Sequence, residues 1–248
     1  MIFGGYRFGT GYRAFLLTLA VASSLATLPA FGQSPKVVSS PSCGPQIQPA
    51  SIPTNAQPDA EVTLTRTWIL ELRAASFPEM PNSDLQVRTF HSQSDYFRTR
   101  FSVSRFLLLR KMRYFVEVNP ALFGLQPPFD AVCAVLAHEL VHVASLSYGN
   151  RIRRLGLVRL LSRGYTARFE RRTDLDAIHR GYGDGLKNYR DWVYAHIPPN
   201  KLQAKRRNYF SPVEITAIQT RLNERPDSFA YWTKHVPMNL KDILEHPN

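Results

Sequence analysis

The sequence predicts an α+β fold in which helices outnumber strands. Two stretches carry strong helix signals: the apolar run 131–147, and 211–222, which opens on Ser-Pro with a glutamate three residues after the serine. One stretch, "RYFVEVNP" at 113–120, is aromatic and β-branched, and its final proline ends a strand. We therefore expect a mostly helical domain with a small sheet.

The remaining elements follow from local signals. Residues 61–72 alternate weakly and then turn apolar, so strand and helix both remain open. Asp130 follows two prolines, and its carboxylate can cap the helix at 131–147. A further helix is expected to end at Gly181. Loops are expected at 78–84 and 196–201.

The N-terminal region predicts export. Residues 1–32 combine early arginines, a short apolar stretch and small residues, which is typical of a signal peptide cleaved near residue 30–32. An uncleaved anchor is the alternative, although a membrane span needs about 20 apolar residues. Residues 33–60, rich in Pro, Ser and Gln, predict a flexible tether before a domain at 61–248. We expect a periplasmic or secreted protein.

The charge balance indicates an anionic partner. The chain has 31 Lys+Arg and 19 Asp+Glu, a formal net charge of +12. Such a surface favours anionic membrane or envelope surfaces. No nucleic acid is expected, because no nucleic-acid-binding motif accompanies the charge and export argues against it. The arginine-rich stretch 150–172 fits a membrane-surface helix, or a solvated helix that packs its leucines on the core.

Two histidines interrupt the apolar run, in "AHELVH" at 137–142. His138 and His142 are four residues apart, so a helix places both on one face, where they can bind one zinc ion. Glu139 is rotated away from the pair but can act as general base on a water at the metal. Hydrogen-bonded core histidines are the alternative, but burying three such side chains without a metal is costly.

A catalytic zinc needs a third protein ligand. The pattern with a third histidine fails, because Ser145 and Tyr148 stand where glycine and histidine are required. Glu170, on a following helix, is the expected ligand, and Asp174 one turn later can orient a ligating histidine. Asp174 or Asp176 could instead be the ligand, with Glu170 a surface residue that pairs with nearby arginines.

"HELVH" followed by "ERRTD" resembles the gluzincin metallopeptidases, the group of thermolysin and the HtpX-like proteases. The resemblance covers roughly 114–178 and implies a zincin-like domain, an active-site helix and one zinc ion per chain. The resemblance implies that His138, His142 and Glu170 bind the zinc ion. It also implies that Glu139 activates the attacking water and that Asp174 supports a ligating histidine. The chain lacks the transmembrane helices of HtpX-like proteases and is far shorter than thermolysin, so a substrate is not implied.

The expected function is therefore that of an exported zinc metalloendopeptidase. The alternatives are a catalytically inactive binding protein of zincin fold, held to membrane or envelope by its basic surface, and a zinc hydrolase of other envelope polymers. The resemblance also implies a way to bind substrate, in which the strand at 113–120 is an edge strand onto which an extended peptide adds by backbone hydrogen bonds. Four side chains are candidates for stabilising the oxyanion or donating a proton: His179, Tyr182, Tyr209 and His196.

The chain has two cysteines, Cys43 and Cys133, which is too few for a disulfide framework. A Cys43 thiolate could occupy the open zinc position and keep the enzyme latent, as in the propeptides of matrix metalloproteinases, whose motif it faintly resembles. A disulfide between the two cysteines is compatible with export. Cys133 is alternatively a small buried side chain on the active-site helix.

Overall fold

The computed structural model describes residues 58–81, 83–108, 110–148 and 163–245. Three predicted features lie outside these residues: the signal peptide, nearly all of the tether with Cys43, and most of the arginine-rich stretch. Within the described residues the fold is α+β, mostly helical, with one three-stranded sheet. This confirms the predicted fold class.

Ten α-helices lie in the described part of the chain, and a π-helical turn at Ile178–Tyr182 joins the fifth to the sixth. They are α1 Pro58–Ser76, α2 Val103–Leu107, α3 Ala121–Leu125, α4 Phe129–Tyr148, α5 Arg163–Ala177, α6 Gly183–His196, α7 Pro199–Asn208, α8 Pro212–Glu224, α9 Ser228–Trp232 and α10 Leu240–Leu244.

The sheet contains β1 (Asp84–Thr89), β2 (Phe97–Phe101) and β3 (Arg113–Val118) in the order β1-β3-β2. β1 pairs in parallel with β3, and β2 pairs antiparallel with it. The strand predicted at 113–120 is confirmed, but its predicted edge position is wrong. β3 lies at the centre because the more polar β1, which has little strand signal of its own, pairs along its other side.

The segment whose class the sequence left open is helical. α1 begins at Pro58, three residues before the expected domain boundary. Trp68, Ile69 and Leu72 are all buried. Their spacing places them on one face of a helix, whereas a strand would alternate inward and outward side chains.

α4 is the core of the fold, because every residue from 131 to 144 is buried. It begins two residues before the predicted range 131–147 and ends one residue after it. Asp130 is not the cap: it lies in the first turn, and its carboxylate accepts a hydrogen bond from Asn188 Nδ2 at 2.5 Å. Among the described helices, only α4 is long and apolar enough to span a bilayer. However, 83% of its most apolar stretch is buried inside the fold.

Cys133, on α4, is buried and disulfide-bonded. It is therefore half of a cystine and not a free buried thiol. Cys43, the only other cysteine in the sequence, lies outside the described residues.

The helix containing Glu170 ends at Ala177, four residues before the predicted end at Gly181, because a π-helical turn follows it. Gly181 lies in the π-helical turn after α5 and has φ 93°, a backbone conformation that glycine adopts without strain. After this kink, α6 packs against α4. The chain can thus bring residues of α5 and α6 to the same part of the core.

One further prediction is confirmed, and another is confirmed only in part. Ser211 caps α8, and its side chain and that of Glu214 form a reciprocal capping box. The expected break at 196–201 is short, because α6 ends at His196 and α7 begins at Pro199.

Replacing Gly185 with alanine is expected to destabilise the fold. A Cβ there would lie 2.4 Å from the Asp130 carbonyl oxygen and 2.7 Å from the Ala134 Cβ, so α6 would have to move away from α4. We expect the free energy of unfolding to fall by about 1–3 kcal/mol, measured by chemical denaturation. Gly164→Ala is the control, since a Cβ there meets nothing within 4 Å. Equal stability of the two variants would contradict the close packing.

Candidate metal centre

The two histidines of α4 converge on one carboxylate from α5. His138 Nε2 lies 3.2 Å from Glu170 Oε2, and His142 Nε2 lies 3.1 Å from the same oxygen. The three residues are buried, and their ligand atoms lie within 4.8 Å of one another. This group could hold a metal ion. Glu170 is therefore not a surface residue, whereas Asp176, the alternative ligand, pairs with Arg180 at 3.0 Å.

The donor set fits zinc. Two imidazole nitrogens and one carboxylate oxygen form a three-ligand set used by catalytic zinc sites, which keep a fourth position open. Ligand atoms about 2.0–2.1 Å from a tetrahedral ion are roughly 3.3 Å apart. The distances of 3.1 and 3.2 Å to Glu170 are close to that value, so accommodating an ion needs little rearrangement around this carboxylate.

The cluster carries the charge that a cation requires. Burial by itself raises the pKa of Glu170, but the charge of His142 and the hydrogen bonds of both histidines hold that pKa well below its usual range. Glu170 is therefore ionised although it is buried. Burial by itself lowers the pKa of His138, but hydrogen bonds to Asp174 and Glu170 raise it to about 9. His138 thus binds a proton, and a metal ion would have to displace that proton.

Asp174 orients the first histidine, as the sequence predicts. Its Oδ1 lies 2.8 Å from His138 Nδ1, the nitrogen that points away from Glu170. The same oxygen accepts a hydrogen bond from Arg190 Nη2 at 2.7 Å, and Oδ2 accepts one from the Phe210 backbone N–H at 3.1 Å. Burial by itself raises the pKa of Asp174, but Arg190 and His138 outweigh it and lower the pKa. Asp174 is therefore an ionised acceptor for the Nδ1 proton.

Thr173 orients the second histidine. Its hydroxyl donates to the Phe169 carbonyl at 3.0 Å, and its Oγ1 lies 3.3 Å from His142 Nδ1. Since the hydroxyl proton is already used, Oγ1 accepts from Nδ1–H. The lone pair of Nε2 then points toward Glu170, which is the tautomer a metal ligand needs.

Glu139 directly follows His138 on α4. Its backbone carbonyl accepts a hydrogen bond from the Thr99 hydroxyl of β2 at 3.1 Å. The side chain is buried, and Oε2 has no hydrogen-bond partner within the described ranges. An unpaired buried carboxylate oxygen costs stability, so the fold alone does not explain this residue.

Of the four oxyanion candidates, Tyr209 is the one that contacts a residue of the cluster among the described contacts. Its ring centroid is 5.9 Å from that of His138, and the Arg190 guanidinium lies 4.4 Å from the centre of its ring. Burial raises the pKa of Tyr209 well above its usual value, and the negative charges of Glu170 and Asp95 add to the effect. The hydroxyl therefore keeps its proton at neutral pH.

The other three candidates have partners elsewhere. The His179 ring stacks on Phe229 with centroids 3.7 Å apart. The Tyr182 hydroxyl shares a hydrogen bond with Ser76 Oγ at 2.6 Å. His196 Nδ1 hydrogen-bonds to the carbonyl of residue 192 at 2.7 Å. These contacts do not involve the cluster, and a role of the three side chains in stabilising the oxyanion stays a prediction.

Three groups of the site escape sequence reasoning: Thr173, Arg190 and the backbone N–H of Phe210. Thr173 carries a signal that could have been used, because it lies one turn after Glu170 and one residue before Asp174. Arg190 and Phe210 lie beyond the kink at Gly181 and have no local pattern that links them to Asp174.

The fold and the site together define an α+β protein with a buried His/His/carboxylate candidate metal centre on its central helix. No protein family, no curated protein and no solved structure matches this chain.

Replacing Asp174 with asparagine is expected to weaken metal binding about 10–100-fold, measured by competition with a chelator of known affinity. The neutral amide keeps the shape of the carboxylate but does not hold the His138 tautomer electrostatically. Asp176→Asn is the matched control, since Asp176 lies on the same helix and pairs with Arg180 outside the cluster. A similar affinity for both variants would remove Asp174 from the site.

Proposed function

We propose that this protein is an exported zinc-dependent metalloendopeptidase of gluzincin type, with a zincin-like domain. The single observation that carries the proposal is the buried carboxylate of Glu139 beside the His/His/Glu cluster. Its Oε2 has no hydrogen-bond partner among the described residues. A zinc site that serves only binding or structure needs ligands but no such base. The same observation disfavours the inactive binding protein as the alternative.

His138, His142 and Glu170 would hold the zinc ion. When bound, zinc supplies Lewis acidity that polarises the scissile carbonyl and lowers the pKa of a water. Glu139 takes a proton from the attacking water and later passes it to the leaving amine nitrogen. Tyr209 donates a hydrogen bond to the carbonyl oxygen as that oxygen gains negative charge. Thr173 and Asp174 keep the two imidazoles in orientation.

The edge strand β2 is the surface that fits an extended peptide, in place of the strand at 113–120. Hydrogen bonds from Asn119 N to the Tyr96 carbonyl and from Ser102 N to the Arg113 carbonyl set the β2–β3 register. In this antiparallel register the backbone groups of residues 97, 99 and 101 point away from β3. Thr99 also contacts Glu139, so a peptide added along β2 would pass next to the proposed base.

Replacing Tyr209 with phenylalanine is expected to lower kcat by about 10²–10³-fold while zinc content is unchanged. The hydroxyl is removed without removing the ring that packs beside His138. Tyr182→Phe is the matched control, because that hydroxyl bonds to Ser76 outside the cluster. The expectation fails if the two variants lose the same activity, or if Tyr209→Phe affects only KM.

The proposal is tested by measuring zinc content together with peptide hydrolysis. The purified chain is incubated with an unfolded protein and a mixed peptide library, and new termini are identified by mass spectrometry. We expect about one zinc ion per chain, cleavage that stops on chelation, and recovery on adding zinc. Stoichiometric zinc without cleavage of any peptide would overturn the endopeptidase proposal in favour of a binding protein or a hydrolase of another polymer. Absence of zinc after reconstitution would overturn the metal site itself.

A further inference from the structure

We propose that the connection between β2 and β3, with the adjoining outer face of the sheet, is a docking surface for anionic phospholipid bilayers. The connection, called the tip here, comprises residues 102–112, of which the structure describes all except Leu109. This surface shares no residue with the metal centre, so the inference goes beyond the proposed function and does not depend on it.

The tip exposes apolar side chains to solvent. Val103 is 55% exposed and Leu108 is 63% exposed, among the most exposed large apolar residues in the described part of the chain. Arg105 lies between them, and Arg110 and Lys111 follow and are exposed. Exposed apolar side chains among cationic ones are typical of segments that enter the interface of an anionic membrane.

The outer face of the sheet continues this cationic surface. Arg88, Arg98 and Arg100 all contact the carboxylate of Glu117 on β3. The Arg88 contact is 2.5 Å and that of Arg100 is 3.4 Å. Glu117 retains only 3% of its side-chain exposure, while Arg88 keeps 49%. The acidic group is therefore covered. Arg88 remains about half exposed above it, whereas the side chains of Arg98 and Arg100 are 19% and 33% exposed.

The charges on this surface do not cancel. The tip and the three strands contain seven cationic residues, Arg88, Arg98, Arg100, Arg105, Arg110, Lys111 and Arg113, and two acidic ones, Asp84 and Glu117. Seven minus two leaves a formal charge of +5. Two guanidiniums lie 3.9 Å from the centres of the Phe90 and Phe115 rings, which restricts their orientation. Arginine binds phosphate groups in a bidentate manner, so phospholipid headgroups suit this array.

A bilayer accounts for both kinds of side chain. Free phosphate or nucleic acid would neutralise the arginines but would leave Val103 and Leu108 in water. The interface of an anionic membrane takes up apolar and cationic groups together. The tip also adjoins β2, because Ser102 lies three residue steps, about 10 Å along a strand, from Thr99. Docking would therefore hold the proposed peptide-binding edge near the membrane surface.

The test is flotation of the purified chain with vesicles of phosphatidylcholine alone and of phosphatidylcholine with phosphatidylglycerol. All variants share the N-terminal segment, so differences between them report on the substituted surface. We expect binding to the anionic vesicles only, weakened by salt and unaffected by chelation of the metal. Val103→Ser with Leu108→Ser should weaken binding roughly tenfold or more. Arg110→Ser with Lys111→Ser should weaken it about fivefold for each charge removed.

Matched controls lie on other surfaces. Val213→Ser removes an apolar side chain that is 64% exposed on α8, and Lys241→Ser removes a cation at 74% side-chain exposure on α10. Both should bind vesicles as the native chain does, and every variant should keep the native thermal midpoint. Emission of Leu108→Trp should shift to the blue with anionic vesicles, and that of Val213→Trp should not.

Three results would overturn the inference. One is equal binding by the tip variants and their controls. Another is loss of native vesicle binding in inorganic phosphate at matched ionic strength but not in chloride, which would indicate a site for free phosphate. The third is binding to duplex DNA without binding to vesicles, which would assign the surface to nucleic acid.

Discussion

Replacing Glu170 with alanine is expected to reduce zinc affinity by on the order of a hundredfold or more. Among the described residues, neither of the two carboxylates that follow Glu170 on α5 is free to take its place. Asp174 is occupied by His138, Arg190 and the Phe210 backbone N–H, and Asp176 pairs with Arg180. Two histidines alone form an incomplete zinc site. Zinc content is measured after dialysis against a weak chelator, with the unfolding transition of the same sample as a check on folding.

Two further substitutions separate the loss of a ligand from the loss of a buried charge. Glu170→Gln keeps the volume but provides a poor zinc ligand, so its zinc content should fall as in Glu170→Ala. Glu214→Ala removes another buried glutamate, one that pairs with Arg171 at 2.8 Å outside the cluster. That variant should lose stability and keep its zinc. Native zinc affinity in Glu170→Ala would exclude Glu170 as a ligand.

The site residues that the sequence predicts are those joined by short-range helical geometry. His138 and His142 are four residues apart, and so are Glu170 and Asp174, so each pair shares a helix face whatever the rest of the fold does. The capping box of α8 is predictable for the same reason, because its two side chains contact one another across three residues.

The features that the sequence does not predict depend on long-range contacts. β1 pairs with β3 across the whole β2 hairpin, and its polar sequence "DLQVRT" carries little strand signal. Arg190 reaches Asp174 only because the chain reverses at Gly181 and α6 packs on the core. Tyr209 could not be separated from the other oxyanion candidates, since its place beside His138 depends on the same packing.

Replacing Glu139 with glutamine is expected to abolish peptide hydrolysis, by about 10²–10⁴-fold in kcat, while about one zinc ion per chain remains bound. The amide has the size of the carboxylate but cannot accept the proton of the attacking water. The measurement is kcat on the peptides identified for the native chain, beside zinc content for both proteins. A structural role for Glu139 predicts a different outcome, a loss of stability with activity lost only through unfolding.

The metal-free proteins distinguish these roles further. Glu139 Oε2 is buried and has no hydrogen-bond partner in the described part of the chain, so a carboxylate there lowers the free energy of unfolding. A neutral amide costs less to bury, and metal-free Glu139→Gln should be as stable as the native chain or more stable. Higher stability combined with lost activity is expected when the native catalytic side chain lowers the stability of the fold. If Glu139→Gln instead unfolds at lower denaturant concentration than the native chain, Glu139 supports the fold and the proposed base is lost.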